Sequence, residues 1–321
     1  MSRLHLLCLI ATLGACVDHE PSLLAGKTTS LKVDLIAPAD PGSQQNRLPD
    51  GTTTATVKIT ALDENGDTDT SVSRDVDLYV GFLGTLTPAH EKGVPFQKVP
   101  LTAGVSAATT VNLPPTFGAT FLWVEDVEGS DPSFATGTSP QLWFRDPWIY
   151  DIQKPVSETA VNALTDSPLE NKTVDVTTSH YGAMGRLVVS GVYATGYTLD
   201  DVKCQDASGT PPCQAGYYDH AFIYSYSKAF DQNGNPIVVG ENIDGFQGGV
   251  SEFDGLTEIG FPQSFAADAP VVNAAQVSAP AIIDASWFAQ DIMFERNEAG
   301  LVEVDGATLC PLDSDYTTYN Q

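Results

Sequence analysis

Residues 52–62 read TTTATVKITAL and run straight into Asp63-Glu64-Asn65-Gly66-Asp67. Val57, Ile59 and Ala61 alternate with polar neighbours, the two-residue period of a half-buried strand. The pentapeptide after them reads as a turn, because Asn-Gly accepts the positive φ that a tight reversal needs. The same pattern continues outward. Residues 76–82 (VDLYVGF), 105–113, 119–124, 134–137 and 141–144 are short β-forming runs between clusters of Gly, Pro, Asn and Asp. Helical periodicity is nearly absent, so the fold class is all-β. Such strands predict a β-sandwich over residues 28–146. Asp146-Pro147 marks its end, since proline restricts the residue before it.

The second half repeats the pattern. Residues 172–178, 185–193 (GRLVVSGVY) and 217–227 (YYDHAFIYSYS) read as strands, and 231–235 (DQNGN) as a turn. In 246–259 (FQGGVSEFDGLTEI), Asp254-Gly255 between two alternating runs is the strongest hairpin signal in the chain.

Two stretches resemble known families. DGTTTATVKITALDENG, residues 50–66, is similar to the opening of invasin-type immunoglobulin-like domains, where an A-T-V-x-V strand leads into a D-x-N-G turn. The likeness spans about residues 28–144 and implies an immunoglobulin-like β-sandwich, a rigid spacer or adhesive module. GGVSEFDGLTEI, residues 248–259, resembles the hairpin of an OB-fold-like module found ahead of catalytic domains in secreted bacterial nucleases. Residues 269–272 (APVV) and 295–304 (ERNEAGLVEV, with Ala299 inserted) extend the match. It implies an OB-like β-barrel over residues 147–321. It does not imply nuclease activity, because the catalytic domain lies outside the match.

The N-terminus resembles that of bacterial lipoproteins. Arg3 precedes an apolar run, residues 4–10, interrupted only by His5, and small residues follow. The run is too short for a stable membrane anchor. Leu13-Gly14-Ala15-Cys16 is similar to a lipobox, which implies a signal peptide of residues 1–15, a lipid-modified Cys16 and a tether of residues 16–27. An ordinary signal peptide cut after Ala15 is the alternative. Val17 is not the Asp of inner-membrane retention, so an outer membrane lipoprotein is expected, periplasmic or surface-exposed.

In an exported chain disulfides persist. Cys204 and Cys213 flank a loop with Gly209, Pro211 and Pro212 and are expected to pair. A metal pair is the alternative, with no further Cys or His at ligand spacing nearby. Cys310 is left over. Residues 316–319 read as the start of a last strand, so the barrel is expected to be incomplete at Gln321 or closed by a partner.

No catalytic constellation stands out. His19, His90, His180 and His220 lack metal-ligand spacing. No G-x-S-x-G elbow occurs, and Ser225-Tyr226-Ser227-Lys228 matches S-x-x-K in a strand-like run, where the two side chains point apart. Asp63 to Asp69 only loosely resembles a calcium loop. Asp200-Asp201, Asp313 and Asp315 are unremarked in a chain with 41 acidic residues against 15 basic ones. No metal or cofactor is expected. Alternation places Tyr218, Tyr224 and Tyr226 on one face, able to stack sugars or peptide, and Tyr217 on the other.

At 321 residues the chain has room for two domains, and 42% hydrophobic residues exclude disorder. A formal charge of −26 repels phosphate backbones, so nucleic acid is not an expected partner. The sequence therefore reads as a lipid-anchored, non-enzymatic binding or structural module of the cell envelope, with an envelope protein or glycan as partner. An accessory domain of an extracellular hydrolase such as a nuclease is the alternative. If Cys16 carries the lipid, Cys16→Ser will shift the protein from the membrane pellet to the soluble fraction. A variant that still pellets at high salt would contradict the lipobox reading.

Overall fold

The computed structural model describes residues 28–82, 96–127, 134–159, 161 and 165–308. The expected signal peptide and tether, Cys16, His19, His90, Cys310, Asp313, Asp315 and the expected last strand lie outside the described residues.

The first half contains β1 (Thr28–Ala37), β2 (Thr54–Asp63), β3 (Asp75–Phe82), β4 (Gln97–Pro100), β5 (Thr109–Asn112), β6 (Ala119–Asp126), β7 (Gly137–Thr138) and β8 (Leu142–Trp143). One sheet runs β1-β2-β5, and the other β4-β3-β6-β7 with β8 also on β6. Their inner faces share one core. Ala55, Val57, Ile59 and Ala61 of β2 meet a set that includes Leu78, Leu122 and Val124. Each fully buried Val, Leu or Ile contributes about 1.5–3 kcal/mol, and the alternation along β2 puts its apolar residues inward. On the other face of β6, Trp123 stacks on its cross-strand partner Tyr79, with ring centroids 5.6 Å apart.

The turn at 63–67 makes only a short local hairpin: Leu62 bridges Thr68 antiparallel, the Asp63 N–H donates to Asp67 and the Asp69 N–H to Ala61. β2 pairs with β1 and β5, while β3 lies in the opposite sheet, so the turn carries the chain across the sandwich. Asp63 closes it on itself, accepting the backbone N–H groups of Asn65 and Asp67 at 2.9 Å. The loose calcium-loop reading thus meets a carboxylate oxygen already engaged by backbone donors. The device recurs. Asp206 accepts from Ser208 and Thr210, and Asp231 from Asn233 and Asn235. In each loop the fourth residue is a glycine with φ near +80°, Gly66, Gly209 and Gly234.

The core changes between Phe144, the last residue of the first cluster, and Ile149, which belongs to the second. Arg145 lies between them. Its guanidinium sits 3.5 Å from the Trp148 ring centroid and donates to Asp151 at 2.7 Å. A short helix, Ile149–Gln153, then lays Ile149 and Ile152 onto the second core.

That core covers a sheet built from β9 (Thr173–Val176), β10 (Gly185–Tyr193), β11 (Gly196–Lys203), β12 (Gln214–Tyr224), β13 (Asn242–Ile243), β14 (Gly245–Phe253) and β15 (Leu256–Phe265). Its order is β13-β10-β11-β12-β15-β14-β9. The pairs are antiparallel except β12 with β15. Phe253 pairs with Leu256 across Asp254-Gly255, whose φ values of +51° and +80° are those of a primed hairpin turn.

The sheet is open, ending at β13 and β9, so the described residues do not form the closed OB-like barrel expected for 147–321. Residues 295–304 also depart from the expected strand. A helical turn, Ile292–Glu295, leads into further turns, and Ala299 takes φ +59°. Only β17 (Val302–Glu303) is extended, paired in parallel with β16 (Ala281–Ile282) outside the large sheet. Of residues 269–272, Val272 makes an isolated bridge to Glu241.

Cys204 and Cys213 are joined, both buried, in a small cluster with Val188 and Val202. Closing so short a loop constrains the unfolded chain by about 2.5–3 kcal/mol. The double variant Cys204→Ala/Cys213→Ala should lose about that much stability in denaturant unfolding. An unchanged midpoint would show that the bond holds nothing the core does not.

Candidate functional site

β11 is buried along nearly its whole length, from Gly196 to Val202, because the sheet is covered on both faces there. Two adjacent aspartates sit inside that run. Successive residues of a strand point to opposite faces, and the contacts divide accordingly. Asp200 meets its cross-strand partner His220, whose Nδ1 lies 2.8 Å from Oδ1, and accepts from Ser190 Oγ at 3.0 Å. Gly300 covers this pair closely: a Cβ there would come within 2.8 Å of the His220 ring.

Asp201 faces a second cluster. There β12 bulges, and the register between Asp200 and Val202 shifts across residues 216–219. The bulge delivers Asp219 beside Asp201, and the loop before β10 brings His180 over both. His180 Nδ1 lies 3.2 Å from Asp201 Oδ2 and 3.2 Å from Asp219 Oδ1. Asp219 is held through its other oxygen, which accepts from Tyr181 Oη at 2.7 Å and from the Gly216 N–H at 2.6 Å. A Cβ at 216 would crowd Asp219 Oδ2 and Tyr181 Oη at 2.9 Å, so a side chain there would displace their hydrogen bond. The His180 N–H donates to Asp201 Oδ2.

The cluster is short of donors. Asp201 is 0% and Asp219 1% exposed, yet Asp201 Oδ1, Asp219 Oδ1 and His180 Nδ1 are buried without a hydrogen bond. The two 3.2 Å approaches are close enough for ion pairs but lack hydrogen-bond geometry. A buried acceptor left unmatched costs about 1–3 kcal/mol, and more when charged. Burial, the largest effect, raises the Asp219 pKa against the bonds that lower it. Burial lowers that of His180, and the two carboxylates outweigh it, for a net rise.

At the other end of β12 lies a row of aromatic rings. Centroids run Tyr193–Phe222 6.2 Å, Phe222–Tyr224 6.1 Å, Tyr224–Tyr226 4.4 Å and Tyr226–Phe261 5.1 Å. Tyr193, Tyr226 and Phe261 are 51%, 55% and 82% exposed. An open groove of about 390 Å³ adjoins the row, lined by Tyr193, Thr195, Phe222, Leu256 and Gly300 among others. Tyr226 and Phe261 both hold positive φ, +60° and +50°. For aromatic residues that is strained backbone, costing about 1–3 kcal/mol each. Phe261 sits where β15 carries one extra residue opposite β14, with Phe261 and Pro262 facing Gly248, and its side chain is turned outward.

The expected tyrosine face is only partly formed. Tyr224 and Tyr226 come together, but Tyr218 does not join them. It lies in the bulge with φ +65° and is 3% exposed. Its hydroxyl donates to Glu158, and its ring meets Tyr150 edge-on. Tyr217 lies under the Arg296 guanidinium. Ser225 donates to the Ser227 carbonyl, and Lys228 is exposed. Sequence reasoning passed over His180, His220, Asp200, Asp201 and Asp219. The available signal was two adjacent aspartates between Leu199 and Val202 in a β-forming run. Compared with known proteins, the chain matches no family model, no curated protein and no solved structure.

A third group concerns stability. Thr257 on β15 ties two glutamates together: its N–H donates to Glu298, and its hydroxyl to Glu252, which also accepts from the Ser167 N–H. Burial pushes Glu295 and Glu298 up to about 7 from 4.5. The folded state therefore keeps protons that the unfolded chain releases above pH 4.5. The associated stability is full below that pH and is lost as pH rises to about 7. Glu298→Gln keeps an acceptor for Thr257 without the charge. It should raise Tm at pH 8 by about 2–4 °C and flatten the decline between pH 4.5 and 7. A Tm that falls at pH 8 would contradict the assignment.

Proposed function

We propose that the chain is a non-enzymatic binding module of the cell envelope, held at the outer membrane by lipid on Cys16. Its ligand is a single neutral glycan chain laid along Tyr193, Phe222, Tyr224, Tyr226 and Phe261. The observation that carries this reading is the exposed aromatic row, two of whose members are held outward by strained backbone. Exposed apolar patches mark interaction surfaces, and strain of this kind collects at binding sites.

The chemistry narrows the ligand. Ring faces take the apolar C–H faces of sugars, while the groove beside them offers the Thr195 hydroxyl. The charge of −26 disfavours an anionic polymer. Neighbouring rings are tilted by 39° to 77°, so they offer no common plane. A flat crystalline surface needs coplanar rings, whereas a twisted single chain follows a twisted row. Lipid attachment, supported by the lipobox, would keep such a module beside envelope polysaccharide.

Titration of the protein against neutral oligosaccharides tests this. Tyr226→Ala and Phe261→Ala should each weaken binding about 3- to 10-fold, together abolish it, and leave folding intact. Affinity should change little with salt. Binding of no neutral oligosaccharide, or binding indifferent to the double variant, would refute the proposal.

A further inference from the structure

We propose that His180, Asp201 and Asp219 form a binding site for one divalent transition-metal cation of the zinc class, with three protein donors and a fourth position for water. This goes beyond the glycan reading and stands or falls apart from it. Three segments supply the donors: the loop before β10, β11 and the β12 bulge. Their ligand atoms all lie within 4.8 Å of one another.

The separations fit a small tetrahedral ion. Two donors about 2.0–2.1 Å from such a metal are about 3.3 Å apart, and His180 Nδ1 is 3.2 Å from each carboxylate. The atoms converge without hydrogen bonding one another. Asp201 Oδ1 and Asp219 Oδ1 accept no hydrogen bond, on aspartates 0% and 1% exposed, and His180 Nδ1 meets Asp201 Oδ2 and Asp219 Oδ1 only as ion pairs. Ion pairing with one imidazole leaves the buried Asp201 Oδ1 without a hydrogen bond. A dication would satisfy the converging atoms together and balance two buried carboxylates that otherwise face one imidazole.

The surroundings are those of a built site. Tyr181 and the Gly216 N–H fix one oxygen of Asp219 and leave Oδ1 directed at His180. This is the outer-shell support that orients metal-ligating carboxylates. The Tyr181 ring lies 3.8 Å from that of His180 and limits its rotation. His180 Nδ1 is buried with the carboxylate oxygens, while the rest of its side chain, 20% exposed, brings the site to the protein surface. Nitrogen plus two carboxylates suits zinc and its neighbours, whereas calcium takes six to eight oxygens.

The test uses the full chain without a histidine tag, stripped with EDTA and titrated with Zn²⁺ or Co²⁺ alone. One equivalent of Zn²⁺ should bind and raise Tm, and Co²⁺ should give the intense visible bands of a four-coordinate site. Asp219→Asn should weaken binding by about 100-fold or more, and Tyr181→Phe by roughly 10–100-fold, with near-UV circular dichroism unchanged. If the wild-type chain retains no ion and shows no Co²⁺ bands, the proposal fails, whatever the variants do. Stoichiometric binding that survives Asp219→Asn in a folded protein would also overturn it, since the ion would then lie elsewhere.

Discussion

Carboxylates taken out of water at the centre of a sheet are the constraint on which the second half depends. Asp200 and Asp201 sit on a strand covered from both sides, where a charge is costly unless matched. The fold answers each separately. Asp200 gains His220 and Ser190 on one face. Asp201 gains His180 on the other but shares it with a second carboxylate, Asp219, which the bulge brings there and Tyr181 and the Gly216 N–H hold. The register break in β12 and the displacement of Tyr218 from its neighbours lie directly opposite those two side chains.

The same strand, β12, links two surfaces of different character. One end carries the polar cluster, where carboxylates outnumber cationic partners. The other begins the aromatic row, which is exposed and apolar. Bulges shape both: residues 216–219 in β12 aim Asp219 inward, and the irregularity at Phe261 in β15 aims a ring outward. Bulges redirect side chains in this way without ending the pairing.

The sequence was informative where local chemistry decides structure. The alternation of Val57, Ile59 and Ala61, the Asp254-Gly255 hairpin and the Cys204–Cys213 pair all stand as read. It was silent where the outcome depends on contacts far along the chain. The turn at 63–67 was legible as a turn, but that its hairpin stops after Thr68 and β3 joins the opposite sheet was not. Strict alternation put Tyr218 with Tyr224, and a four-residue bulge undid that. His180 and Asp201 are 21 residues apart, and no short spacing announces them. Residues 295–304 looked β-forming, yet hydrogen-bonded turns and a positive φ at Ala299 outweigh that propensity.

The parallel pairing of β12 with β15 has a kinetic consequence. Strands β10, β11 and β12 form a local meander, and β14 and β15 a local hairpin, so each set closes over short loops. The union of the two sets, through Phe222–Glu258, Ile223–Ile259 and Tyr224–Gly260, joins residues farther apart in sequence than either set pairs within itself, so it closes a longer loop. The aromatic row straddles that seam, with Tyr193, Phe222, Tyr224 and Tyr226 on one side and Phe261 on the other. It is complete only once the seam has closed. A molecule bound along it stabilises the joined state by mass action, so occupancy of the surface and integrity of the sheet rise and fall together.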